Sequence, residues 1–205
     1  MADEKPSWLQ GERVYIATTA AHDCLLGASV APSASQVALA KASGVLASEA
    51  QAVEAEDAPE TVNTDGWQAT PGAWQTLGTQ MTVILCVLHA LLTIRHRATK
   101  TLGNAFAQVQ KRGWEAYHAP SKRAFSQRLR RLRVGAETAL PDGVMQSRTL
   151  DLGEKRDPCS KSSEHPEAHR TSHMVDRLMQ FLDRAFVKAP YFHGMPDSAE
   201  SRGRA

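Results

Sequence analysis

The side chains able to do chemistry are carboxylates, imidazoles and thiols spread along a 205-residue chain. Asp65 ends a β-prone piece, Thr61–Asn63, and is followed by Gly66. In α/β proteins sites are built at the carboxyl edge of a sheet, although an Asp-Gly pair is also a common turn. Asp3 lies in the acidic start MADEKPSW, where an acid can be simply solvated, and Asp176 stands among Arg170, Arg177 and Arg184, where it can serve as a helix ion-pair partner. His165, His169 and His173 recur every four residues, a spacing that holds a transition metal on one helix face. Pro166, however, puts His165 ahead of any helix. Cys86 and His89 form a lone C-x-x-H without the second pair that a zinc site requires. The sequence has no Gly-rich phosphate loop, no nucleophile elbow and no Ser/His/Asp order.

These residues need elements to position them. Glu12–Thr19 alternates in the period of a strand, and Cys24–Val30 supplies a second that closes a hairpin. The Ala-rich stretch after Pro32 starts with serine caps and reads as a helix, with Gly44 in its middle. Thr61–Asn63 is a short strand, a helix follows from Thr70 with Pro71 in its first turn, and Met81–Cys86 is an apolar, β-branched run typical of a buried parallel strand. The helix from Val87 leads into a region without strands. There Phe106, Val109, Trp114 and Tyr117 mark one helix, and Phe125, Leu129, Leu132 and Ala136 another. Residues 153–165 read as a loop, Thr171–Val187 as a last helix and 191–205 as a disordered tail. The order is β-β-α-β-α-β-α followed by helices, an α/β class.

Charge divides the chain in the same places. The total of 24 Lys+Arg against 22 Asp+Glu is nearly balanced, but residues 1–94 carry three basic residues and ten acids, net −7. Residues 95–133 carry eleven basic residues and one acid, Glu115, net +10. Such a block is either a solvated helix face or a polyanion-binding one, and phosphate backbone is the commonest polyanion. The three cysteines, Cys24, Cys86 and Cys159, are too widely spaced for a disulfide framework, which points to a reducing cytoplasm. The apolar run Met81–Ile94 is 14 residues long and includes His89, too short to cross a bilayer. The N-terminus has no signal-peptide core.

Four strings in combination carry a resemblance: TVNTDGWQATPGAWQTL, VILCVLHALLTIRHR, YHAPSKRAFSQRLRRLR and HRTSHMVDRLM. Together they resemble the catalytic region of bacterial insertion-sequence transposases with an RNase H-like core, and more distantly the Mutator-like superfamily. The resemblance runs from about Asp3 to Gly194, with GERVYIATT and LGASVA similar to the family's early strands. It implies a DDE/D phosphoryl-transfer site with Asp3 as the first acid, Asp65 as the second and Asp176 as the third, His173 standing where relatives have Asn. Glu137 is an alternative third acid. Cys86 and His89 match the family's C-x-x-H and support the core rather than a metal. Two Mg2+ or Mn2+ ions, roughly 3.5–4 Å apart on carboxylates from separate elements, activate the attacking oxygen and stabilise the leaving one in such chemistry. Lys122, Arg123, Arg128, Arg130, Arg131 and Arg133 are the implied contacts to DNA, with Trp114, Tyr117 and Phe125 candidates to stack on an unpaired end or to pack a core.

The resemblance further implies an RNase H-like mixed sheet: an N-terminal core part over 1–100, a basic all-helical insertion over 101–152, and a loop and core helix over 153–190. With only Met1 and Ala2 before Asp3, the first strand is expected to be largely missing. The chain then reads as truncated at both ends, and Asp3 is left without rigid support. Two functions follow from this reading. One is a transposase catalytic-core fragment that cleaves and joins DNA at transposon ends. The other is a non-catalytic DNA-binding or transposition-inhibiting remnant able to pair with full-length transposase or with itself. Both place it in the cytoplasm, at the nucleoid and away from the membrane.

Overall fold

The computed structural model describes residues 1–21, 24–54, 58–78, 80–97, 102–168, 171 and 173–188, with the side chains of 173, 176, 182, 183 and 185–188 outside that description. The chain is a mixed α/β protein that divides into two units: residues 1–83 with 172–205, and residues 84–171.

The first unit is built on a three-stranded antiparallel sheet in the order β1 (Ala2–Leu9), β2 (Glu12–Ala21) and β3 (Cys24–Ala31). β2 forms where period-2 alternation predicts it and β3 where a hairpin partner is expected, and a bulge at Thr19/Ala20 shifts their register. β1 corrects the expectation of a missing first strand: Asp3 sits in an eight-residue strand, paired to Thr18. A two-residue turn, Gln10 (φ 53°) and Gly11 (φ 81°), joins β1 to β2, and positive φ at both positions gives the twist that a tight hairpin needs.

Ser35 caps α1 (Gln36–Val53) by accepting from the Ala38 amide at 3.2 Å. α1 packs on β3 and β2 and against α2 (Ala69–Leu77), burying Ala17, Ala31, Leu39, Ala42 and Ala73 together. β4 (Thr61–Thr64) lies beside β1 and pairs with β5 (Thr82–Leu85) in a separate two-stranded sheet. The five strands therefore make two hydrogen-bonded sheets, not one continuous one. The opposite face of β1 and β2 is covered by α8 (His173–Lys188). Its Val175 and Met179, four residues apart, are buried against Met1, Ile16, Ala20 and Ala28. The Thr18 hydroxyl donates to Met179 Sδ at 2.8 Å.

The second unit is helical: α3 (Val87–Arg97), α4 (Gly103–Tyr117), α5 (Lys122–Ala139), α6 (Val144–Glu154) and the short α7 (Arg156–Ser160). The four apolar positions read from α5, Phe125, Leu129, Leu132 and Ala136, are all buried in one core with Val87, Leu91, Ile94 and Val109. Ser121 caps α5 through the Ala124 amide at 3.2 Å. Residues 153–165 are not a loop. α6 ends at Glu154, and α7 and a 3-10 turn over Lys161–Ser163 follow, because Leu152 and Cys159 are buried in the same core. The expected tail, 191–205, lies outside the described residues.

Candidate metal centre

Three carboxylates meet at the end of the first sheet. One ligand oxygen from each of Asp3, Glu4 and Asp65 lies within 4.8 Å of the others. Two of the three are residues that the sequence singles out, and Glu4 is not.

β1 supplies Asp3 and Glu4. Neighbours on a strand point to opposite faces, and Asp3 returns toward Glu4 by folding along its own backbone, with Oδ1 accepting from the Glu4 amide at 2.9 Å. Asp65 follows the last residue of β4, and its conformation is fixed by a local turn. Gly66, at φ 90°, turns the chain so that the Trp67 amide donates to Asp65 Oδ1 at 2.8 Å. α2 begins immediately afterwards, and from its first turn the Thr70 hydroxyl donates to Glu4 Oε2.

Glu4 is only 7% exposed, and its second oxygen, Oε1, is buried without a hydrogen-bond partner. Burial pushes its carboxyl up from 4.5 to about 8; the Thr70 hydroxyl opposes the rise, and the charges of Asp65 and Asp3 add to it. Glu4 therefore holds its proton at neutral pH unless a positive charge arrives. The donor set fits a hard divalent ion. All three groups are carboxylates, and a cation with metal–oxygen distances of about 2.0–2.6 Å spans ligand oxygens up to about 4–5 Å apart. Such an ion would also give Oε1 the partner it lacks.

Asp176 lies in α8, one residue after Val175 and three before Met179, and its side chain is outside the described residues. So are the side chain of His173 and all of His169, and with them the three-histidine spacing. Glu137 is in α5 of the helical unit, paired with Arg133 at 3.1 Å. Cys86 and His89 flank the start of α3, Cys86 buried and His89 half-buried, and neither joins a cluster of three metal-ligating side chains among the described residues. Burial pushes the Cys159 thiol up to about 12, and the nearby Cys86 thiol adds to the rise. That thiol is a core residue rather than a nucleophile.

The six basic candidates do not stand together. Arg128, Arg130 and Arg131 line an open groove of about 780 Å³ in the helical unit, together with Arg112, which the sequence reading passed over, and Glu115. Arg128 donates to the Glu115 carbonyl oxygen. Lys122 is instead bound to Glu164, and Arg133 to Glu137, while Arg123 is exposed at the start of α5. Of the three aromatics expected either to stack or to pack a core, Phe125 is buried in the core and Tyr117 is half-buried against it. Trp114 is 38% exposed and stacked on the His118 ring at 5.7 Å. No helix among the described residues is long and apolar enough to cross a membrane. No protein-family model, no curated protein and no solved structure matches the chain.

Proposed function

We propose that this chain is a metal-dependent nucleic-acid phosphoryl-transfer core of the DDE/D transposase kind, on an RNase H-like sheet. The observation that carries the reading is the meeting of Asp3 and Asp65 with Glu4 within 4.8 Å, on a strand and a strand end that lie side by side. The support for the sheet is the neighbour order, with β1, which carries the first acid, hydrogen-bonded to β2 and packed beside β4.

Asp3, Glu4 and Asp65 would hold Mg2+ or Mn2+, which supplies Lewis acidity to a phosphodiester oxygen and to the attacking water or hydroxyl. The protein's own part is positional. The Trp67 amide fixes Asp65, and the Thr70 hydroxyl fixes Glu4. Burial of Glu4 keeps water from competing for its oxygens. Arg112, Arg128, Arg130 and Arg131 give the helical unit a cationic groove for backbone phosphate. A second ion on the third acid, Asp176, belongs to this proposal too.

The test is cleavage of supercoiled plasmid and linear duplex DNA. Mn2+- or Mg2+-dependent nicking that Asp65→Asn abolishes is expected. Cleavage that is independent of metal or indifferent to Asp65→Asn ends the catalytic reading. A second reading, a non-catalytic DNA-binding or inhibitory protein acting on full-length transposase, is favoured by the Arg groove belonging to a unit with its own core. It predicts salt-sensitive DNA binding unchanged in Asp65→Asn, without nicking.

A further inference from the structure

Trp67 follows the candidate metal ligand Asp65 by two residues and is tied to it through its own amide, yet the residue is 42% exposed. The ring does not stand alone. Tyr15 lies 6.0 Å away, tilted by 51°, and the Arg13 guanidinium carbon lies 5.4 Å from the centre of the Tyr15 ring. Strand register explains the row: Ala17 faces Glu4, Tyr15 faces Pro6 and Arg13 faces Trp8 across β1 and β2, so these pairs share one face of the sheet. α1 and α2 cover that face at Ala17 and Glu4. Beyond them Pro6 and Arg13 are exposed and Trp8 is 70% exposed, with no element among the described residues packed over them.

We infer that Trp67, Tyr15 and Arg13 form a stacking ledge for an unpaired nucleotide of the strand whose phosphate would be held, through a divalent cation, at Asp3, Glu4 and Asp65. The inference rests on the phosphoryl-transfer reading. An exposed tryptophan leaves apolar surface in water, and a purine or pyrimidine face removes that exposure without sequence preference. Arg13, beside Tyr15, adds a cation for the next phosphate. Because two peptide steps span at most about 7 Å, the ring stays within one nucleotide's reach of Asp65. A blunt duplex, its bases stacked on each other, presents no free face to the ledge.

The test uses the full chain with Ca2+ and a duplex carrying a short single-stranded overhang of 2-aminopurine, whose fluorescence is quenched by stacking. The wild-type protein is expected to quench the overhang. Trp67→Leu is expected to lose the quench and about tenfold in overhang affinity, with blunt-duplex affinity unchanged. Trp67→Phe retains a ring and is expected to retain the quench, and Arg13→Gln, on an exposed residue, is expected to weaken overhang binding about threefold. No quench by the wild-type protein, or an unaltered quench by Trp67→Leu, overturns the ledge. Failure of the cleavage reading looks different: overhang quenching that Trp67→Leu removes, in a protein that never nicks DNA with Mn2+, upholds the ledge and retires the catalysis. Mn2+-dependent nicking with an unaltered Trp67→Leu quench does the reverse.

Discussion

The Thr70 hydroxyl donates to one oxygen of the Glu4 carboxylate, while the other, Oε1, is buried with no partner. The pair joins the first turn of α2 to β1 and leaves a half-satisfied acid beside Asp3 and Asp65. A buried carboxyl with one donor and two acidic neighbours is a costly arrangement for the metal-free fold.

That cost depends on pH. In the folded protein Glu4 titrates at about 8, against 4.5 for the free carboxyl. Between those values the folded state keeps a proton that the unfolded state has lost, so stability falls as pH rises through this window and is constant above it. Glu4→Gln, neutral at every pH, is expected to match the wild type near pH 4.5 and to exceed it by several kcal/mol near pH 9. Urea unfolding of both proteins across this range measures the difference, and a gap that does not change with pH removes Glu4 as its cause. Thr70→Val deletes the donor that opposes the rise, and is expected to carry the loss on to higher pH.

A cation reverses the sign. To bind, it must displace the Glu4 proton, so apparent affinity for Mn2+ is expected to climb by up to about tenfold per pH unit below about 8 and to level off above. Mn2+ therefore raises the melting temperature more at pH 8.5 than at pH 6. Asp65→Asn is expected to abolish the stabilisation at both values, and calorimetry in two buffers of different ionisation heat counts the proton released. A metal effect that is flat with pH would place the ion away from Glu4.

Much of this arrangement was legible in the sequence, for physical reasons. β2 alternates because one face is covered and the other partly so, and α5 declares its four core residues because a helix on a core repeats at three and four. β1 was not legible. ADEKPSWL holds three consecutive charged residues and a proline, the composition of a loop, and Pro6 is tolerated because, among the described strands, β2 alone is hydrogen-bonded to β1. Gln10-Gly11 also lacks the Asn or Asp that announces such a turn. Missing that strand hid Glu4, since an acid between Asp3 and Lys5 looks solvated until Thr70 and Ala17 are seen against it. The helical stretch over 156–163 was hidden by its polarity, and it is held in the core by Cys159 rather than by a periodic face.

Two sets of basic residues are expected to differ in a binding experiment. Replacing Arg128, Arg130 and Arg131 with Gln removes three groove cations at once, and the slope of log affinity against log salt should fall by about 3. Lys122→Gln with Arg133→Gln removes cations already paired with Glu164 and Glu137, and should change the slope by less than about 1. Fluorescence anisotropy with labelled duplex at several salt concentrations reads both. Equal slopes for the two variants would mean that the groove is not the phosphate track.

Gly135 separates stability from binding at the same groove. It lies in α5 with the Arg112 guanidinium against it, so close that a Cβ there would collide with the guanidinium nitrogen. Glycine inside a helix costs about 1 kcal/mol relative to alanine, and the atom in the way is the far end of a flexible side chain, which can swing aside. Gly135→Ala is therefore expected to leave the helical unit as stable or up to about 1 kcal/mol more so, while moving Arg112 out of the groove it lines with Arg128, Arg130 and Arg131. The salt slope for DNA should drop by about 1, and Arg112→Gln should give the same drop without the gain in stability. A variant that loses stability instead would show that Arg112 cannot yield, and that Gly135 is there for the packing of α4 on α5. An unchanged slope in both variants would show that Arg112 lines the groove without touching phosphate.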